Sequence, residues 1–137
     1  HVSRISFFFN KHSIIIPLAA YLRIANKQYE DRGCAGAYNV GPDDCDCVTT
    51  GELADIFCAC WGEGIQWENK DPGGPHEAGF LKLDCSKVKK AFGWRPRWHV
   101  QEAVARTVEW AKAYLSGEDM AACMDRQIEE FLDGVND

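Results

Sequence analysis

Pro75-His76-Glu77-Ala78-Gly79-Phe80-Leu81-Lys82-Leu83-Asp84-Cys85-Ser86-Lys87, continuing to Gly93-Trp94-Arg95-Pro96, passes from a loop into a helix and out again. Asp71-Pro72-Gly73-Gly74 ahead of it is turn chemistry, which predicts an exposed loop delivering the His76-Glu77 pair. Leu81-Lys82-Leu83 reads as a brief extended segment. Asp84 or Ser86 can then cap a short helix that stops at Gly93, a typical C-terminal glycine. Trp94 to Trp98 crosses to a longer helix over 100–115, with Val104, Val108, Ala111 and Leu115 on one apolar face. Ser116-Gly117 breaks it. A last helix over 118–132 is expected to bury Met124, Ile128 and Phe131.

Toward the other end, Pro17 is pre-set for a first helical turn, and Leu18, Tyr21, Leu22, Ala25 and Tyr29 recur at helical spacing up to Gly33. Ala37 to Val40 reads as a short strand closed by Gly41-Pro42-Asp43-Asp44. Thr49-x-x-Glu52 is a capping box, in which hydroxyl and carboxylate each satisfy an orphan N–H at a helix start. That helix runs to Trp61, Gly62 and Gly64 end it, and Ile65 to Glu68 alternates like a strand. Residues 1–16 form an atypical segment, and 17–137 read as one unit. Within the former, Asn10, Lys11 and His12 interrupt the apolar Phe7-Phe8-Phe9 and Ile14-Ile15-Ile16, leaving nothing near the roughly 20 residues of a membrane span. Arg4 and Lys11 precede an apolar block as in a cleaved signal, but Pro17 and the amphipathic helix beyond it argue otherwise.

The 137 residues suffice for one core, and 46% hydrophobic with 26% charged content is that of a globular protein. The net charge of -6, with its basic residues dispersed, excludes a concentrated phosphate-binding face and so argues against nucleic acid. Lys87, Lys89 and Lys90 read as a solvated helix face. Seven cysteines, an odd number without a clear secretory signal, point to a reduced, cytoplasmic protein. Cys45-x-Cys47 and Cys58-x-Cys60 lack the two-to-four-residue spacing of structural zinc pairs, so the cysteines are expected as small core residues and no metal is expected.

No glycine fingerprint lies between a strand and a helix: Gly62-Glu63-Gly64 has the reverse order. No tyrosine has a lysine four residues on, and there is no Gly-x-Ser-x-Gly elbow. Cys85 with His76 or His99 as base lacks any sign of a lowered thiol pKa beyond a nearby helix start. His76-Glu77 remains the polar pair whose setting suits a ligand.

Pro17-Leu18 with Tyr21-Leu22, Tyr38-Asn39-x-Gly41-Pro42-Asp43, Trp61-Gly62-Glu63-Gly64, Pro75-His76-Glu77-Ala78, Leu81 to Lys87 and Gly93-Trp94-x-Pro96-Arg97-Trp98 together resemble the C-terminal part of CDP-glucose 4,6-dehydratases. Leu115 to Met120 and Gln127-Ile128-Glu129 resemble that family's tail. These are extended short-chain dehydrogenase/reductases of the NAD-dependent epimerase/dehydratase group. The resemblance implies an α+β, helix-rich substrate-binding region with a few short strands. The Rossmann half, with its NAD-binding glycine motif and catalytic Tyr-x-x-x-Lys pair, is missing from these residues. In the family, NAD oxidises the sugar at C4, water leaves across C5 and C6, and hydride returns to C6. It follows that this chain is not catalytic alone and holds no cofactor, with His76 and Glu77, and more weakly Lys82, as substrate-binding residues for CDP-glucose. The family usually has His-Tyr where Gly79-Phe80 stands. It has Arg-Pro-Trp-Gln-His-Val where Lys11 to Ile16 stands, so residues 1–16 read as foreign to it. The alternative expectation is a noncatalytic remnant or self-associating interaction module, with a homo-oligomer or the Rossmann half as partner.

Overall fold

The computed structural model describes residues 15–68 and 83–133. Within them the regular elements are α1 (Ile15–Glu30), α2 (Thr50–Trp61), α3 (Ser86–Phe92), α4 (Val100–Ser116) and α5 (Met120–Asp133), with 3-10 turns at Arg32–Cys34 and Asp44–Asp46. The first of these helices starts two residues before the proline that predicts it.

Local chemistry sets the boundaries. At the head of α2, Thr49 Oγ1 accepts from the N–H of Glu52 at 3.2 Å, and the Glu52 carboxylate accepts from the N–H of Thr49 at 2.7 Å. The expected capping box is therefore complete, and accepting the Thr49 N–H holds the Glu52 carboxyl below its ordinary range. Asp84 accepts from the N–H of Ser86 at 2.9 Å and so opens α3. Gly93 closes it in the left-handed region (φ 57°), where a side chain would be strained, and its N–H returns to Lys89 O.

Two apolar clusters hold the helices together. In the first, Ala20 of α1 meets Val88 and Phe92 of α3, with Cys85 and Trp94, while Ile16, Ile24, Tyr38 and Val40 pack around them. In the second, Phe57 of α2 meets Val104 and Val108 of α4, flanked by Leu53, Ile56, Trp61 and Val100. Val88 and Val104 are essentially solvent-free, each worth about 1.5–3 kcal/mol of apolar burial. α5 packs on α4, where Gln127 Nε2 donates to Arg106 O at 3.0 Å and to the Glu109 carboxylate at 3.1 Å. The ring of Trp98 meets that of Phe131 edge-on at 5.0 Å, and Arg97 donates to the Phe131 carbonyl, so the crossing segment grips the end of α5.

Several expectations need correction. Among the described residues there is no strand, so this part is helix-rich without a sheet. A strand requires ladder hydrogen bonds to a neighbour, whereas side chains secure these segments. Lys87 Nζ donates to Ala37 O at 2.9 Å, and Asn39 donates to Asp84 O at 3.2 Å. Trp67 Nε1 donates to Asp55 at 2.8 Å, tying the 65–68 segment to α2.

The buried faces also shift. α5 buries Cys123, Gln127 and Phe131, leaving Met124 and Ile128 exposed. The neutral amide is buried because both its acceptors lie on α4, a partner that hydrophobicity cannot reveal. α1 buries Ala20 and half-buries Ile16 and Ile24, whereas Leu18, Tyr21, Leu22 and Tyr29, which recur at helical spacing, are exposed. Leu115, expected with Val104 and Val108, is exposed as well. Nor is the lysine cluster simply solvated: Lys87 also lies 4.5 Å over the Tyr38 ring, and Lys89 pairs with Asp43.

Candidate functional site

Pro17 from the first turn of α1, Gly41-Pro42 after the irregular 37–40 segment, and Trp94, Pro96 and Trp98 from the crossing segment line one cavity of about 310 Å³. Ile16, Val40, Val100 and Ala103 extend its apolar wall, and Asp46 supplies a carboxylate. Its volume lies at the small end of ligand pockets, and a mostly apolar wall with few polar groups is their usual makeup. Three of the motif segments that carry the family resemblance thus meet in space, although they are distant in sequence.

Asp46 organises one edge of this cavity. His99 stands at the N-cap of α4 but its own side chain makes no cap, and Asp46 Oδ1 accepts from the N–H of Val100 at 2.9 Å instead. A carboxylate at a helix N-terminus also meets the favourable end of the helix dipole. The other oxygen, Oδ2, lies 2.9 Å from His99 Nδ1. That hydrogen bond first, then the charges of Asp46 and Asp43, push the His99 imidazole above its ordinary pKa. Cys45 Sγ is 3.9 Å from the same ring nitrogen. Among the described residues, Cys45, Asp46 and His99 are the one group of three histidine, cysteine and acidic side chains whose ligand atoms converge, all within 4.8 Å of one another.

Sequence reasoning weighed Cys45 only with other cysteines and His99 only as a base for Cys85. In the structure Cys85 is buried, with its thiol directed to Leu83 O, and His99 faces Asp46 and Cys45. The run Asp43-Asp44-Cys45-Asp46-Cys47 is rich in metal-ligating residue types, yet nothing in it points to a histidine so far along the chain. Of the seven cysteines, Cys85 and Cys123 are core residues as expected, whereas Cys45 and Cys60 are exposed.

His76, Glu77 and Lys82 lie outside the described residues. The described chain resumes at Leu83, which with Pro42, Asp44, Asp84, Cys85, Ser86 and Lys89 lines a second depression of about 450 Å³. The Gly62-Glu63-Gly64 turn closes the C-terminal end of α2, with the Gly62 N–H already given to Cys58 O, so it offers no helix N-terminus to a pyrophosphate.

Over part of their length, sugar-nucleotide 4,6-dehydratases are similar to this chain. In particular, it is similar to the CDP-glucose 4,6-dehydratase of Salmonella typhimurium, with 38% identity over 120 residues that make up 87% of this chain and 33% of that protein. A dTDP-glucose 4,6-dehydratase of Streptomyces antibioticus is 36% identical over 64 residues, 44% of this chain and 17% of its own. The chain therefore spans about a third or less of each relative's length, which fits the C-terminal part of the first family. No protein-family model matches it. Among the described residues no helix is long and apolar enough to cross a membrane.

Proposed function

We propose that this chain is the substrate-side part of a CDP-glucose 4,6-dehydratase of the extended short-chain dehydrogenase/reductase class. It holds the nucleotide sugar while a Rossmann half, in the same or another chain, carries NAD and the catalytic pair. The observation that carries this reading is the meeting of Pro17, Gly41-Pro42 and Trp94 to Trp98 around one cavity, in a chain 38% identical to such an enzyme. His76, Glu77 and Lys82 are its ligand-side candidates, the lysine suited to a phosphate as a point charge. Titration calorimetry with CDP and CDP-glucose tests it. Binding that weakens about tenfold in Lys82→Met supports the reading, and silence at millimolar ligand sinks it.

A second reading, self-association without catalysis, is favoured by the stripe of Leu18, Tyr21, Leu22 and Tyr29 on α1, each exposed although apolar or aromatic. Sedimentation velocity decides it: a monomer across the accessible concentration range removes this reading.

A further inference from the structure

We propose that Cys45, Asp46 and His99 bind one divalent transition-metal ion of the zinc type. The three donors come from two segments far apart in the chain, the 3-10 turn Asp44–Asp46 and the residue that opens α4. The nitrogen lies 2.9 Å from the Asp46 oxygen and 3.9 Å from the sulfur, and all three ligand atoms fall within 4.8 Å of one another. Tetrahedral zinc, with bonds of about 2.0–2.3 Å, sets its ligands roughly 3.3–3.7 Å apart. The ion is accommodated once the nitrogen and oxygen separate slightly and the thiolate draws in, adjustments within reach of side-chain rotation.

The donor chemistry selects the metal. Thiolate, imidazole and carboxylate together suit zinc or cobalt, whereas magnesium and calcium favour oxygen donors alone. Asp46 is held in place for the task, since Oδ1 is engaged by the N–H of Val100 and leaves Oδ2 turned toward His99. Such anchoring by an outer hydrogen bond is how metal ligands are usually oriented. The Asp46 side chain is buried while Cys45 and His99 are exposed, so one donor is fixed and the other two can admit an ion from solvent. With three protein donors, water completes the coordination.

Cobalt(II) and zinc(II) titrations of the full, reduced, metal-free chain test the proposal. One equivalent of cobalt is expected to give a thiolate charge-transfer band and intense tetrahedral d–d absorption, and zinc to displace it. Cys45→Ser is expected to abolish the charge-transfer band, and His99→Gln to weaken binding by about tenfold or more. Cys60→Ser, altering the other exposed thiol, leaves both unchanged. The proposal is overturned by an absence of saturable uptake, by uptake that survives Cys45→Ser or His99→Gln undiminished, or by an equal loss in Cys60→Ser. Circular dichroism of each variant separates a lost ligand from a lost fold.

Discussion

Lys112 Nζ lies 2.7 Å from the carbonyl oxygen of Trp61, so a side chain of α4 closes the last turn of α2. The same ammonium sits 5.4 Å over the Trp61 ring and 3.5 Å from the Glu63 carboxylate. A cation at a helix C-terminus meets both the orphan carbonyls and the negative end of the dipole. Lys112→Met is expected to lower stability by about 1 kcal/mol, read from the urea midpoint. An unchanged midpoint would show that the contact contributes nothing.

The capping box of α2 has its own signature. Thr49→Ala is expected to cost about 1 kcal/mol, and Thr49→Ser far less, because serine keeps the acceptor oxygen that Glu52 N–H requires. Equal losses in the two variants would show that the methyl, not the hydroxyl, matters.

The corrected face of α5 is open to a direct comparison. Phe131 is 8% exposed and meets Trp98 edge-on, whereas Met124 is 47% exposed. Phe131→Ala is expected to cost about 3 kcal/mol or more, and Met124→Ala to stay within about 0.5 kcal/mol. The reverse ranking would return the helix to the face its hydrophobicity suggests.

Acid should act through Glu109. Burial works against its ionised form, but hydrogen bonds from Arg126, Gln127 and Arg106 outweigh this and hold its carboxyl below the ordinary range. A carboxylate depressed in the folded state contributes fully above its unfolded pKa, about 4.3, and loses that contribution as the pH falls toward the folded value. Stability should therefore decline below roughly pH 5. Glu109→Gln is expected to flatten part of that decline in urea midpoints measured between about pH 3 and 7; an identical slope would remove Glu109 from the account.

Much of the helical framework was legible because its signals are local. The Thr49–Glu52 box, Gly93, and the Ser116-Gly117 break each act over a few residues, and the helices start and stop beside them. What was not legible depends on partners. Whether residues 37–40 become a strand depends on a neighbouring edge, and the acceptors that satisfy Gln127 lie on another helix. His99 could not be joined to Cys45 and Asp46 from spacing, because that meeting exists only once α4 has docked. On α1 the residues that recur at helical spacing are exposed, since periodicity reports that a face is apolar, not what covers it.

The way the two apolar clusters are built bears on inheritance. Ala20 depends on Val88 and Phe92, and Phe57 depends on Val104 and Val108, so each cluster takes one wall from before residue 68 and the other from after residue 83. Neither cluster is complete within one half, although α4 and α5 pack on each other inside the second. A recombination point falling between the halves would therefore cut through both clusters at once. The stretch can be shuffled between genes only whole, and two fragments made by a single cut should recover their structure only in each other's presence.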